Sequence, residues 1–305
     1  MYYPYLRGKQ NELIALRDLL SEGLLSETIT PIIEPTQASS TLRLALSAFA
    51  DAKRHLAVIQ NPKATVYQPF DDPEIQKIKN QEFFIPAVLL GDADDTPLIK
   101  KFTNRKIMVI IPEKVKQQPD LKLLHGQQIN VIHPASSLYS RYRGEGKVRL
   151  TDGFNKLPRN ADYVNGSNEF FSADHLYYQT DGLTGFSDYS TIGADFIDSG
   201  FAARAVAIHI VYFNDNDELY VKHFVSDSNE DISDPAGKFS EALKHLVDWY
   251  QSPEFDHSKN NSSALKKFEQ MYKSGVYSGL GILKRLSLEH HLEIMGRYLQ
   301  NHHSR

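Results

Sequence analysis

Charged and amide side chains recur at one kind of place in this sequence, directly after short apolar runs. Arg7 and Lys9 follow residues 2–6, Glu34 follows 29–33, Asn61 follows 56–59 and Asp92 follows 83–90. Glu113 follows 106–111, His133 closes 129–133, Asp152 follows 148–150 and Asp188 lies within 185–190. Such a set supplies two chemistries. Lys9 or Arg7 could hold a phosphate or a carboxylate. Glu34 and Asp188 could act as acid and base, or share a divalent metal with Asp152. The catalytic candidates are therefore Glu34, Asp152 and Asp188. The ligand-binding candidates are Arg7, Lys9, Asn61, His133, Arg141 and Arg143. A plainer reading stands beside these: Arg7 or Lys9 pairs with Glu34 and closes the first β-α-β unit.

The elements that must position these residues follow a rhythm. Residues 2–6 read as a strand, 10–21 as a helix with Leu13, Leu16 and Leu20 on one face, and 29–33 as a second strand. Apolar runs then end at Ile33-Glu34-Pro35, Ile59-Gln60-Asn61-Pro62, Ile111-Pro112 and Ile132-His133-Pro134, with helix-like stretches between. The runs are continuous rather than alternating, as in parallel strands buried on both faces. Six such strands by residue 134 predict an α/β fold, a TIM-barrel-like (β/α)n barrel of irregular form, with strands seven and eight at 148–150 and 185–190. Residues 153–184 read as a long loop holding a helix at 172–178. Two strands at 205–213 and 218–225, joined by Asn214-Asp215-Asn216-Asp217, read as a late β-hairpin. The tail is helical, with Phe239, Leu243, Leu246, Val247 and Tyr250 forming one stripe. The expected division is a barrel-like domain over 1–235, hairpin included, and a C-terminal helical addition over 236–305.

The N-terminal pattern Tyr-x-Pro-x-Leu-Arg-x-Lys-x-x-Glu-x-x-Ala-Leu is followed by Ile-x-Pro-Ile-Ile-Glu, ending at Glu34. It resembles the bacterial and phage "beta protein" family, and more closely the sce7725-type proteins. The Gly-Phe-Ser-Asp-Tyr stretch at 185–189 is similar to a later block of that family. The resemblance reaches to about Val225. It implies a barrel-like fold and carries no settled activity. It also implies a prophage or antiviral-defence setting and a nuclease-like companion protein.

Composition bounds the alternatives. The 305 residues carry a net charge of −4, which argues against a bulk electrostatic grip on nucleic acid or an anionic membrane. The absence of cysteine excludes disulfides, thiolate metal sites and a cysteine nucleophile. No Walker A, Gly-x-Gly-x-x-Gly or Gly-x-Ser-x-Gly motif occurs. His290 and His291 lack the i, i+4 spacing of a helical zinc pair. The N-terminus has no basic-then-apolar leader pattern, so the cytoplasm is the expected location. No cofactor is indicated by the residues. Three function classes remain: a partner-binding or regulatory component, an enzyme acting on a phosphate-bearing substrate at the barrel mouth, and a single-strand nucleic-acid binder using the basic, aromatic loop 141–149. The hairpin is the expected partner-binding edge.

Overall fold

The computed structural model describes residues 1–64, 69–70, 72–91, 94–102, 104–116, 119–124, 126, 128–166, 168–195 and 204–303. By contacts the chain forms two compact units. The first comprises Met1–Gly23, Glu27–Asp152 and Asp174–Tyr189; the second comprises Leu24–Ser26, Gly153–Ala173 and Ser190–Arg305.

The first unit is the barrel. In chain order it runs β1 (Tyr5–Leu6), α1 (Gln10–Ser21), β2 (Ile32–Ile33), α2 (Ser40–Asp51), β3 (Leu56–Ile59), α3 (Pro73–Lys79), β4 (Phe84–Leu89), α4 (Thr96–Lys101), β5 (Ile107–Ile111), β6 (Gln128–Ile132), α5 (Ser137–Arg141) and β7 (Lys147–Thr151). A 3-10 turn at Leu121–Leu124 stands between β5 and β6, where the rhythm predicts a helix-like stretch. After β8 (Asn168–Ser172) of the second unit come α6 (Asp174–Tyr177) and β9 (Gly185–Asp188). The strands pair in parallel in the order β1-β2-β3-β4-β5-β6-β7-β9. A parallel bridge from Tyr2 to Phe186 joins the last strand to the first, with the Tyr3 amide donating to the Phe186 carbonyl at 2.9 Å. The barrel is thus nearly closed, as the βα rhythm predicts.

Local chemistry starts the helices where expected. Ser39 caps α2 by accepting the Leu42 amide at 3.1 Å, and Asp72 caps α3 through the Ile75 amide at 3.1 Å, with Pro73 in the first turn. Helix α1 buries Leu13, Leu16 and Leu19, while Leu20 is only half-buried. Chain reversal after β1 needs Gly8 at φ 62, where a Cβ would come within 3.0 Å of the Glu34 carbonyl.

The second unit is a three-stranded antiparallel sheet with helices. Strands β10 (Ala207–Phe213) and β11 (Leu219–Val225) form the predicted hairpin, and β8 pairs with β11 on its other side. Helices α7 (Pro235–Tyr250), α8 (His257–Asn260), α9 (Ser263–Ser274) and α10 (Gly281–His303) complete it. Val206, Ile208, Ile210 and Phe224 share a core with Phe239, Leu243, Leu246, Phe268 and Leu286. Contacts therefore group the hairpin with the helices, and the expected boundary near residue 235 moves. The physical reason is the apolar face of the hairpin, which is covered by α7, α9 and α10. The stretch 153–184 is also more structured than a loop, since it holds a 3-10 helix (Asn160–Gly166), β8 and α6. Among the described residues no helix is long and apolar enough to cross a membrane.

Candidate functional site

Strand pairing decides which strand-end residues face the barrel interior. Val88, Val109, Ile111 and Ile132 pack with Ile99 of α4 and Leu138 of α5, so these positions lie on the outer face. Register carries that assignment around the sheet. Ile132 pairs with Arg149, Arg149 with Phe186, Thr151 with Asp188, and Phe186 with Tyr2. Side chains alternate along a strand. The inner face therefore holds Tyr5 on β1, Ile32 on β2, Val131 on β6, Val148 and Leu150 on β7, and Ser187 on β9. One residue past the strand ends, the same face carries Arg7, Glu34, His133, Asp152 and Tyr189.

Arg7 and Glu34 meet there. They form an ion pair with side-chain exposures of 3% and 0%. Glu34 also accepts the Tyr5 hydroxyl at 2.8 Å and the Lys63 backbone amide at 2.9 Å. The Arg7 guanidinium lies 5.1 Å from the Tyr5 ring centroid and 5.4 Å from that of Tyr189, and the two rings are 4.9 Å apart. Burial raises the Tyr5 phenol well above its ordinary range, and neighbouring Glu34 adds to this. Burial likewise pushes Tyr189 up to about 12, opposed by Arg7 and assisted by Asp152 and Glu34. Both phenols are therefore neutral at ordinary pH. Glu34, fully buried and accepting from Tyr5, Arg7 and the Lys63 amide, has no solvent-facing oxygen. The plainer reading of the Arg7–Glu34 pair is what the geometry contains. Lys9 is exposed at the start of α1, where its amide meets Glu12 at 3.4 Å.

The remaining candidates divide. Asn61 is half-buried and ties β3 to β4. Its Nδ2 donates to the Leu89 carbonyl at 2.8 Å and to Asp95 at 3.0 Å, and its Oδ1 accepts the Leu89 amide at 2.9 Å. His133 is half-buried, with Nδ1 accepting the Ala135 amide at 3.2 Å. Asp152 is exposed. Asp188 does not join them. It points to the outer face, where it is 2% exposed and accepts the Tyr2 hydroxyl at 2.8 Å. The expected Glu34–Asp188–Asp152 grouping is corrected accordingly: Asp188 is one residue out of phase with the inner face. Among the described residues no group of three or more histidines, aspartates or glutamates could hold a metal ion. Glu113 is exposed, and Asp92 lies outside the described residues.

The basic loop 141–149 is internally engaged. Lys147 Nζ donates to the Tyr139 carbonyl at 2.6 Å and sits 3.7 Å from that ring. Arg149 bonds Asp174 at 2.8 Å and Asp181 at 2.5 Å. Tyr142 is buried, its hydroxyl donating toward the Leu124 and Glu145 carbonyls. Arg141 and Arg143 are exposed. Arg143 lies in the connection into β7, at the N-terminal end of the strands, away from the Arg7–Glu34 cluster. His290 and His291 are buried and hydrogen-bonded within the second unit, to Ser262 at 2.8 Å and Ser190 at 2.9 Å.

Sequence reasoning missed Tyr5 and Tyr189, the aromatic walls of the cluster. The available signal was spacing: Tyr5 lies two residues before Arg7, hence on the same face of an extended strand. Comparison with protein-family models, with curated proteins and with solved structures finds no match.

Proposed function

We propose that this protein is a barrel-scaffold component that binds a protein partner, in the prophage or defence setting implied by its resemblance to sce7725-type proteins. The carrying observation is the β8 edge of the second unit. Among the described residues β8 pairs on one side only, with β11. The other outer strand, β10, is covered: Asn260 bonds both the amide and the carbonyl of Phe213, at 2.7 and 2.9 Å, and His290 Nε2 lies 2.7 Å from the Val211 carbonyl. The partner edge thus moves from the hairpin to β8. Phe170 on β8 is 53% exposed and meets Tyr220 edge-on at 5.7 Å, with Tyr212 next across the sheet. A strand paired along one edge only, with exposed Phe170 in a row with the half-buried Tyr220 and Tyr212, suits β-strand addition by an extended segment, with the rings as anchors. Burial of Glu34 supports a scaffold role for the barrel rather than a catalytic one.

A second reading is supported by His133 and Asp152. They face inward on neighbouring strands outside the Arg7–Glu34 pair, which fits an enzyme acting on a phosphate-bearing substrate at the C-terminal mouth. Native purification followed by mass spectrometry of proteins and small molecules separates the two. A stoichiometric companion, lost in Phe170→Glu and kept in Asp152→Asn, is the expected result. A companion retained in a folded Phe170→Glu variant overturns the docking edge. A phosphate-bearing small molecule without a companion, lost in Asp152→Asn, favours the second reading.

A further inference from the structure

A cavity of the barrel unit lies at the end opposite the Arg7–Glu34 cluster. It has a volume of about 1250 Å³ and is built from the connections entering β3, β4, β5, β6, β7 and β9. Lys101, Arg105, Lys106 and Arg143 line it, against the two carboxylates Glu82 and Glu145, so its lining carries two more positive than negative charges. The whole chain has a net charge of −4, so this concentration runs against the average.

Neighbouring structure accounts for only part of the positive charge. Arg105 is anchored as a wall, donating to the carbonyls of Lys79, Gln81 and Phe84 at 2.6, 2.7 and 2.5 Å. Lys101 ends α4, where a cation offsets the helix dipole. Lys106 and Arg143 lie outside any helix, are exposed, and enter no ion pair among the described residues. Lys147, beside Arg143, already suffers a lowered pKa from burial and then from Arg143 and Arg149. An added anion would relieve that crowding.

We infer that this cavity is a binding site for a chain of phosphates. Lys101, Lys106 and Arg143 would engage successive phosphoryl oxygens, since Arg offers a planar fork and Lys a mobile point charge. The volume exceeds the roughly 300–1,000 Å³ of ordinary small-molecule pockets, far more than orthophosphate fills. Phe102, Asn80 and Asn104 line the same space and offer a ring and two amides to a base or sugar. Phosphate chains come from two sources, nucleoside triphosphates and inorganic polyphosphate. In a βα barrel this end is not the catalytic one, so the bound species would act as a regulatory or stabilising ligand.

Calorimetric titration of the full chain with ATP, inorganic tripolyphosphate, orthophosphate and a single-stranded oligonucleotide tests this. Tripolyphosphate and ATP should bind, orthophosphate far more weakly, and affinity should fall as salt rises. Lys106→Glu with Arg143→Glu should weaken binding by about a hundredfold, taking roughly tenfold per lost charged contact. The matched reversal of Lys244 and Lys273, on the second unit, should leave binding intact. ATP binding tighter than tripolyphosphate identifies a nucleotide site; equal binding identifies inorganic polyphosphate. No binding of either, binding indifferent to the double reversal, or tighter binding of the oligonucleotide overturns the inference. Melting of the ligand-free variant, expected near wild type because both residues are exposed, separates loss of site from loss of fold.

Discussion

Glu34 accepts from Tyr5, Arg7 and the Lys63 amide and is closed to solvent. Removing one partner of a buried pair strands the other charge, which typically costs about 3–5 kcal/mol. Glu34→Gln is therefore expected to lower unfolding free energy in urea by several kcal/mol, whatever it does to function. A variant as stable as wild type would contradict the structural role assigned here. Glu12 makes a second prediction. It is buried in α1, and burial raises its pKa from 4.5 to about 7, opposed by the Lys9 and Arg7 amides. Between pH 4.5 and 7 the folded chain holds a proton that the unfolded chain has released. That contribution to stability is intact below pH 4.5 and is lost as pH rises through 7. Glu12→Gln keeps an acceptor for the Lys9 amide and removes the titration. Its unfolding free energy should match wild type near pH 4 and exceed it near pH 8, by an amount on the order of 3 kcal/mol. A pH-independent difference would refute the assignment.

At the scale of elements, the closing seam of the barrel is the most exposed to a small change. Strand β9 meets the N-terminal segment through the Phe186 and Tyr3 amides and through the Ser187 hydroxyl, which donates to the Tyr3 carbonyl at 2.6 Å. Gly185 sits at that seam. A Cβ there would lie 2.6 Å from the Met1 carbonyl and 2.7 Å from the Tyr3 ring. Gly185→Ala must push the two ends of the sheet apart. Amide exchange should then accelerate at Tyr3 and Phe186, with a destabilisation of about 1–3 kcal/mol. Unchanged protection at those amides would show that the seam is not held as described. The other elements are set by near neighbours. Ser39 and Asp72 start α2 and α3, and continuous apolar runs make β3, β4 and β5. Their placement was accordingly legible residue by residue. Strand β8 was not, because Asn-Glu-Phe-Phe-Ser becomes a strand only by pairing with β11, about fifty residues further along the chain.

For the molecule as a whole, the amino-acid sequence determined the barrel, the hairpin and the C-terminal helices. Each rests on local periodicity and on capping or turn residues that act within a few positions. It also determined that polar residues gather at the strand ends. Only the tertiary structure decided which of them share a face. Side chains alternate with period two, so a strand end shifted by one residue sends a carboxylate to the opposite side. Sequence patterns place strand ends less finely than that. Asp152 and Asp188 read alike in the chain, yet one faces the interior and the other meets Tyr2 outside. The hairpin's companions, the burial of Glu34 and the basic cavity are likewise tertiary facts. Each brings together side chains far apart in sequence, such as Tyr5 with Tyr189, Ile208 with Leu243, and Lys106 with Arg143. No local pattern encodes such a meeting, because it exists only after the strands have found their register.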